Sequence, residues 1–252
     1  MKHLSPTILT LLAICNFSLC WGQNDSLIND ARQKLYSEQN DSIKANLANE
    51  LSWEFTYVNL DSAEKYGIIA QNLGKQYNIK AYCRSFDRLG TVKEYRGDNQ
   101  GALKDYLAGL MHSEDARDTA NMANALNSIG ACYYFMGNMD EAIVHWNRSL
   151  ECYTAINHEM RFSVLSNMGG VLMNDGRFQE AKDAFHQSLA HDVEMGDIVE
   201  QRRSLSNLAR ACEKLGEIDS AYYYHDLVAS SYQKTGDEKT VSYYDGYVHF
   251  LR

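Results

Sequence analysis

A ten-residue phrase recurs along this chain at a nearly fixed interval. "GNMDEAIVHW" starts at Gly137, "GRFQEAKDAF" at Gly176, "GEIDSAYYYH" at Gly216 and "GDNQGALKDY" at Gly97, with a weaker version, "VNLDSAEKYG", at Val58. The alanines in register are Ala63, Ala102, Ala142, Ala181 and Ala221, so the steps are 39, 40, 39 and 40 residues. A period of this size marks stacked supersecondary units. A stack grows by copying units rather than by enlarging one core, so the chain need not divide into ordinary globular domains.

The residues around each alanine say what the unit is. Sixteen before it stand Phe86, Leu126, Leu165 and Leu205; thirteen before, Leu89, Ile129, Met168 and Leu208; nine before, Lys93, Tyr133, Leu172 and Cys212. Gly90, Gly130, Gly169 and Ala209 stand twelve before. Spacings of 3, 1 and 3 trace one stripe of an α-helix. Four residues after the alanine come Tyr106, Trp146 and Phe185, and eight after come Leu110, Leu150 and Leu189, which is a second helical stripe. Between the stripes Gly97, Gly137, Gly176 and Gly216 are placed to close the first helix in the left-handed conformation. The small residue twelve before the alanine, and the alanine itself, are expected where two antiparallel helices touch. Each unit is therefore a helix–turn–helix hairpin, and stacking buries what a lone hairpin exposes. The predicted fold is all-α: a solenoid of about five such repeats over 41–236, forming a right-handed superhelix. A leading helix is expected within 23–40 and a closing helix over 237–252.

Lys2 and His3 precede the apolar run "ILTLLAICNFSLC", which ends at "CWGQND". A basic start, a short apolar core and a polar turn describe a secretory signal peptide, residues 1–22, cut near Gly22. A lipoprotein signal wants small residues before Cys15 or Cys20, and Ile14 and Leu19 stand there. The run is short of the ~20 residues of a spanning helix. The mature chain is expected to be exported, periplasmic or extracellular, with no membrane span. Residues 1–22 hold one Lys and no acid, so the formal charge moves from −9 to −10 on cleavage, which disfavours nucleic acid as a partner. Cys83, Cys132, Cys152 and Cys212 remain. An even count in an exported protein admits disulfides, but positions within helical pattern favour free, buried thiols.

The turn glycines and alanines, as in Ile129-Gly130, Gly137 and Ala142, resemble the tetratricopeptide repeat over about residues 41–235. The repeat is longer than the usual one and looks like the variety found in kinesin light chains. The first unit departs from the pattern, with Val58 in place of the turn glycine, and the family's proline after the second helix is absent: the chain's one proline is Pro6. The stretch "NDSIKANLANELSWEFTYVNLDSAEKY" resembles exported sensor-type repeat proteins of bacteria.

Catalysis is not expected. The sequence has no G-x-S-x-G, P-loop, Rossmann fingerprint or H-E-x-x-H, and no C-x-x-C, so neither cofactor nor metal is called for. Binding is the better expectation, because the first helices of the repeats line a concave groove. Its candidate residues, opposite the packed stripe, are Arg84, Arg88, Asn124, Asn127, Asn167, Arg203, Asn207, Arg210 and Lys214. An amide side chain pairs with both N–H and C=O of an extended peptide, and the cations suit an acidic one. Resemblance to the family implies a protein or peptide partner on this surface. The family's carboxylate clamp wants asparagine eleven before each alanine, where Thr91, Ala131, Gly170 and Arg210 stand, so that clamp is not expected. The competing expectation is a structural protein of a cell-surface assembly, acting through convex or edge faces.

Overall fold

The structure, a computed structural model, describes residues 28–234. The signal peptide, the start of the leading helix and the closing helix expected over 237–252 lie outside the described residues. Every element among the described residues is a helix. After a helical segment over 28–37 (α1), they are α2 (Asp41–Thr56), α3 (Leu60–Tyr77), α4 (Ile79–Tyr95), α5 (Asn99–Asp115), α6 (Thr119–Phe135), α7 (Met139–Ala155), α8 (Met160–Asn174), α9 (Phe178–Met195), α10 (Ile198–Leu215) and α11 (Ile218–Lys234). The helices pair in chain order from α2 onward as five hairpins, the all-α repeat fold that the period implies.

The chain itself supplies the helix ends. Asn40, Asn59, Asn78, Asp98, Asn138 and Asp197 each accept a first-turn backbone N–H with their side chains, satisfying donors the helix cannot. Gly97, Gly137, Gly176 and Gly216 have φ of 83, 79, 78 and 73°, as the turn role requires. Around Gly97, the Asp98 N–H returns to the Lys93 carbonyl at 2.9 Å, closing the helix in a Schellman motif. The first hairpin manages without a left-handed residue: the N–H groups of Val58 and Asn59 both reach back to the Phe55 carbonyl.

The described residues group into two compact units that divide within α6, between Ser128 and Ile129. In the first unit, Leu51, Phe55, Tyr66, Ala70 and Val92 form a core that Ile28 and Leu35 of α1 join. Buried amides tie its hairpins together: Asn49 Nδ2 donates to the Ala81 carbonyl at 2.9 Å, and Asn121 Nδ2 to the Lys80 carbonyl at 3.0 Å.

Packing inside the hairpins revises one detail of the sequence reading. All five register alanines are 0% exposed. The glycines twelve residues before them, however, are filled by the aromatic ring four residues after the alanine, and not by an approach of helix axes alone. A Cβ on Gly90 would lie 2.5 Å from Tyr106 Cε1, on Gly130 2.8 Å from Trp146 Cδ1, and on Gly169 2.5 Å from Phe185 Cε1. Glycine and ring are one device. In the last hairpin Ala209 replaces the glycine and the smaller His225 replaces the ring, with His225 Nε2 2.7 Å from Glu213 Oε1. The first hairpin reverses the sizes. There Gly67 takes the ring's place, a Cβ on it would meet Leu89 Cδ2 at 2.8 Å, and Ser52 Oγ donates to the Ala63 carbonyl at 2.8 Å. This exchange explains why the first repeat is hard to align.

The four described cysteines are free thiols: Cys83, Cys132 and Cys212 are buried and Cys152 is half-buried. Burial raises the Cys83 thiol, and burial with the Glu217 carboxylate beside it pushes Cys212 up to about 11. Alkylation needs thiolate and access. Brief iodoacetamide treatment of the folded chain followed by peptide mapping should therefore label Cys152 well ahead of Cys83 and Cys212. Equal labelling of Cys212 would contradict its packing.

Candidate functional site

The second unit contains a cavity of about 570 Å³, bordered by the end of α6, by α8 and by α10. Its inner wall is aromatic and apolar, with Trp146 and Phe185 reaching it from the repeat interior and Tyr134, Phe135, Val171 and Met173 around them. Polar groups complete the lining: Asn167, Asn174 and the buried Ser166 from α8, and Arg203, Asn207 and Arg210 from α10. Gly170 faces it with no atom within 4 Å of where its Cβ would be, which keeps the wall low. Asn174 Nδ2 donates to Tyr134 Oη at 3.1 Å and holds that ring at the rim.

The charge of the lining comes from two arginines, and no carboxylate lines the cavity among the described residues. Arg203 is exposed and paired with Glu200, one turn back on the same helix. Arg210 is exposed and forms no ion pair among the described residues. A guanidinium left open at the mouth of an apolar, amide-edged cavity is suited to a carboxylate, which it can hold through two parallel hydrogen bonds.

Of the residues expected in the groove, Asn167, Arg203, Asn207 and Arg210 meet at this cavity, and Lys214 is exposed on α10 outside the lining. Arg84 and Arg88 on α4, and Asn124 and Asn127 on α6, are half-buried in the first unit. Arg88 is largely committed to the fold. Its Nη1 donates to Asp87 Oδ2 at 3.1 Å and its guanidinium lies 4.7 Å from the Trp53 ring centre. Trp146 and Phe185 were not expected at the site, because the repeat assigns them to the interior. They serve both, as each ring fills its glycine and shows an edge to the cavity. Tyr134 is the other addition; its place seven residues after Asn127, two turns along the same helix, is the signal that could have found it.

Among the described residues no cluster of His, Cys, Asp and Glu could hold a metal ion, and no helix is long and apolar enough to cross a membrane.

A repeated helical hairpin with a ligand-sized cavity on its first helices defines a helical-repeat protein. No family model matches the chain. Kinesin light chain-related protein 3 of Arabidopsis thaliana is 25% identical over 140 residues, which is 53% of this chain and 21% of that protein, so the chain spans about a fifth of that relative's length. Among solved structures, BtubC (BKLC) from P. vanneervenii superposes with a TM-score of 0.71 at 13% identity, covering 85% of this chain and 90% of that one. A Rap protein complexed with competence and sporulation factor gives 0.66 at 12% identity, covering 93% and 72%. PilF of Pseudomonas aeruginosa gives 0.59 at 21%, covering 82% and 91%. The chain has the tetratricopeptide-repeat fold, in the long form seen in kinesin light chains.

Proposed function

We propose that this chain is an exported protein-interaction module whose second unit holds an extended, carboxylate-bearing segment of a partner protein, as a scaffold or the input module of a sensor. The observation that carries the reading is the cavity with Arg203 and Arg210 as its lining charges, in a chain whose formal charge is −9. Solubility does not call for cations grouped in an acidic protein; an anionic ligand does. In this reading Arg210 takes a carboxylate and Asn167 and Asn207 pair with the peptide backbone. An apolar side chain enters between Tyr134 and the Trp146 and Phe185 edges. The Rap protein of the same fold, whose structure is a complex with competence and sporulation factor, supports a separate factor as the ligand. Export rests on Lys2 and the apolar run that follows it. Cell fractionation with N-terminal sequencing tests it, and a mature end near Gln23 is the expected result.

Exposed ion pairs are worth ~0–1 kcal/mol each. Changing Arg203, Arg210 and Lys214 together to Glu replaces attraction with repulsion, and should weaken binding of acidic peptides selected from a random library by about tenfold or more. Wild-type affinity should also fall as salt rises. The thermal midpoint should hardly move, since the one ion pair lost, Arg203–Glu200, is exposed. Unchanged affinity of the triple variant at low salt would remove the cavity from consideration.

One observation favours the assembly reading: Val193, Met195, Ile198 and Val199 are exposed together at the turn between α9 and α10. Sedimentation of the triple variant separates the two, because an edge contact survives the loss of the cavity's cations.

A further inference from the structure

The first unit carries an exposed aromatic cluster that the cavity of the second unit does not involve. Trp53, Tyr57 and Tyr95 are 39, 58 and 53% exposed. Trp53 and Tyr57 meet edge to face with ring centres 5.5 Å apart, and Tyr57 meets Tyr95 in the same way at 5.6 Å. Three large rings left in water on one face are unusual for a surface with no partner, and perpendicular rings leave clefts between them rather than one flat platform.

The polar groups around the cluster narrow what could fill those clefts. Among the described residues the Trp53 indole N–H has no acceptor. Burial and the neighbouring Tyr95 hydroxyl push Tyr57 up to about 12, so its hydroxyl stays protonated. The carboxylate beside Arg88, that of Asp87, is already engaged through both oxygens, by Arg88 Nη1 at 3.1 Å and Ser128 Oγ at 2.8 Å. The cluster therefore offers donors. Arg88 and Glu54 act on Tyr57 in opposite senses, so a charged ligand of either sign meets a like charge beside the cluster. A sugar ring would need an open aromatic face, and the Arg88 guanidinium already covers the Trp53 ring at 4.7 Å.

We infer that this face binds a proline-rich segment in the polyproline II conformation. Such a segment is a preformed helix of three residues per turn whose carbonyls are all free to accept, and whose prolines bring flat apolar rings and no N–H. Proline rings occupy the clefts flanking Tyr57, and the Trp53 N–H donates to a carbonyl between them, which is how aromatic-lined grooves take such ligands. Arg88 is a positioning residue here, since it fixes the Trp53 ring.

The test is a fluorescence titration of the full chain with a synthetic polyproline peptide and a Gly-Ser peptide of the same length. Of the three tryptophans Trp146 is 2% exposed and Trp21 is retained in Trp53→Phe, so a signal that vanishes in Trp53→Phe comes from Trp53. Polyproline should bind saturably and Gly-Ser should not. Tyr57→Ala and Tyr95→Ala should each weaken binding by about tenfold or more, the scale for truncating an anchoring aromatic at an interface, with the thermal midpoint unchanged. Tyr57→Phe keeps the ring and should keep the binding. The Arg203, Arg210 and Lys214 to Glu variant should bind polyproline like wild type, which separates this site from the cavity. No saturable binding of polyproline, binding indifferent to both tyrosine truncations, or a soluble oligosaccharide that moves the Trp53 signal when polyproline does not, would each overturn the inference.

Discussion

Replacing Trp146 with Ala should destabilise the second unit by about 3–5 kcal/mol, as for other buried large aromatics. The side chain is 2% exposed and lies against Gly130, where a Cβ would be 2.8 Å from its Cδ1. It also packs near Tyr134, with ring centres 6.2 Å apart. Glycine has no side chain to move into the space, so the void stays open on that side. Because the ring also lines the cavity, water can enter what is left, which places the expected loss at the lower end of the range. Stability in a repeat protein is a sum of unit and neighbour terms. The damage should therefore centre on the second unit: amide exchange should quicken most across α6 to α8, and less in α2 and α3. A urea midpoint unmoved by the substitution would mean that Trp146 is not the interior plug of its hairpin.

The same ring shows where sequence reasoning reaches its limit. The glycine, alanine and aromatic positions were legible because every hairpin must solve the same problem, and repetition separates that constraint from chance. The left-handed turns at Gly97, Gly137, Gly176 and Gly216 were legible for the same reason. The reversed first hairpin was not, since its small residue, Gly67, stands on the second helix and is covered by Leu89 of the next hairpin, which erases the register. At the candidate site, Asn167, Arg203, Asn207 and Arg210 follow from helical spacing alone. What spacing cannot give is the neighbour of each side chain. Arg88 lies on the same inner stripe as the cavity cations, in the register of Asn207, yet Trp53 and Asp87 take it up, because no other repeat has a tryptophan or an aspartate at those two positions. Asparagine likewise has two uses. Asn49 and Asn121 are spent on carbonyls of a neighbouring hairpin, and only that contact distinguishes them from amides on the groove.

Two adjacent glycines in α8 give the sharpest test of the packing, because the same substitution should act in opposite directions at each. Alanine is favoured over glycine inside a helix by about 1 kcal/mol. At Gly170 nothing lies within 4 Å of the new Cβ, so Gly170→Ala should collect that gain and raise the melting temperature. At Gly169 the new Cβ would lie 2.5 Å from Phe185 Cε1 and 2.8 Å from both Cδ1 and Cζ, and that ring is itself 1% exposed. A buried ring cannot retreat without pushing its own neighbours, and overpacking of this kind costs about 1–3 kcal/mol. The clash should exceed the propensity gain, so Gly169→Ala should melt below wild type. Calorimetry of the two variants side by side decides the matter. The last hairpin supplies the rescue, since it combines Ala209 with the smaller His225 and buries both. Trimming the ring to Leu in a Gly169→Ala, Phe185→Leu double variant should therefore cost less than the two single changes summed. If Gly169→Ala and Gly170→Ala both stabilise, the ring does not sit on Gly169, and the pairing of glycine with aromatic is not what fixes the hairpin.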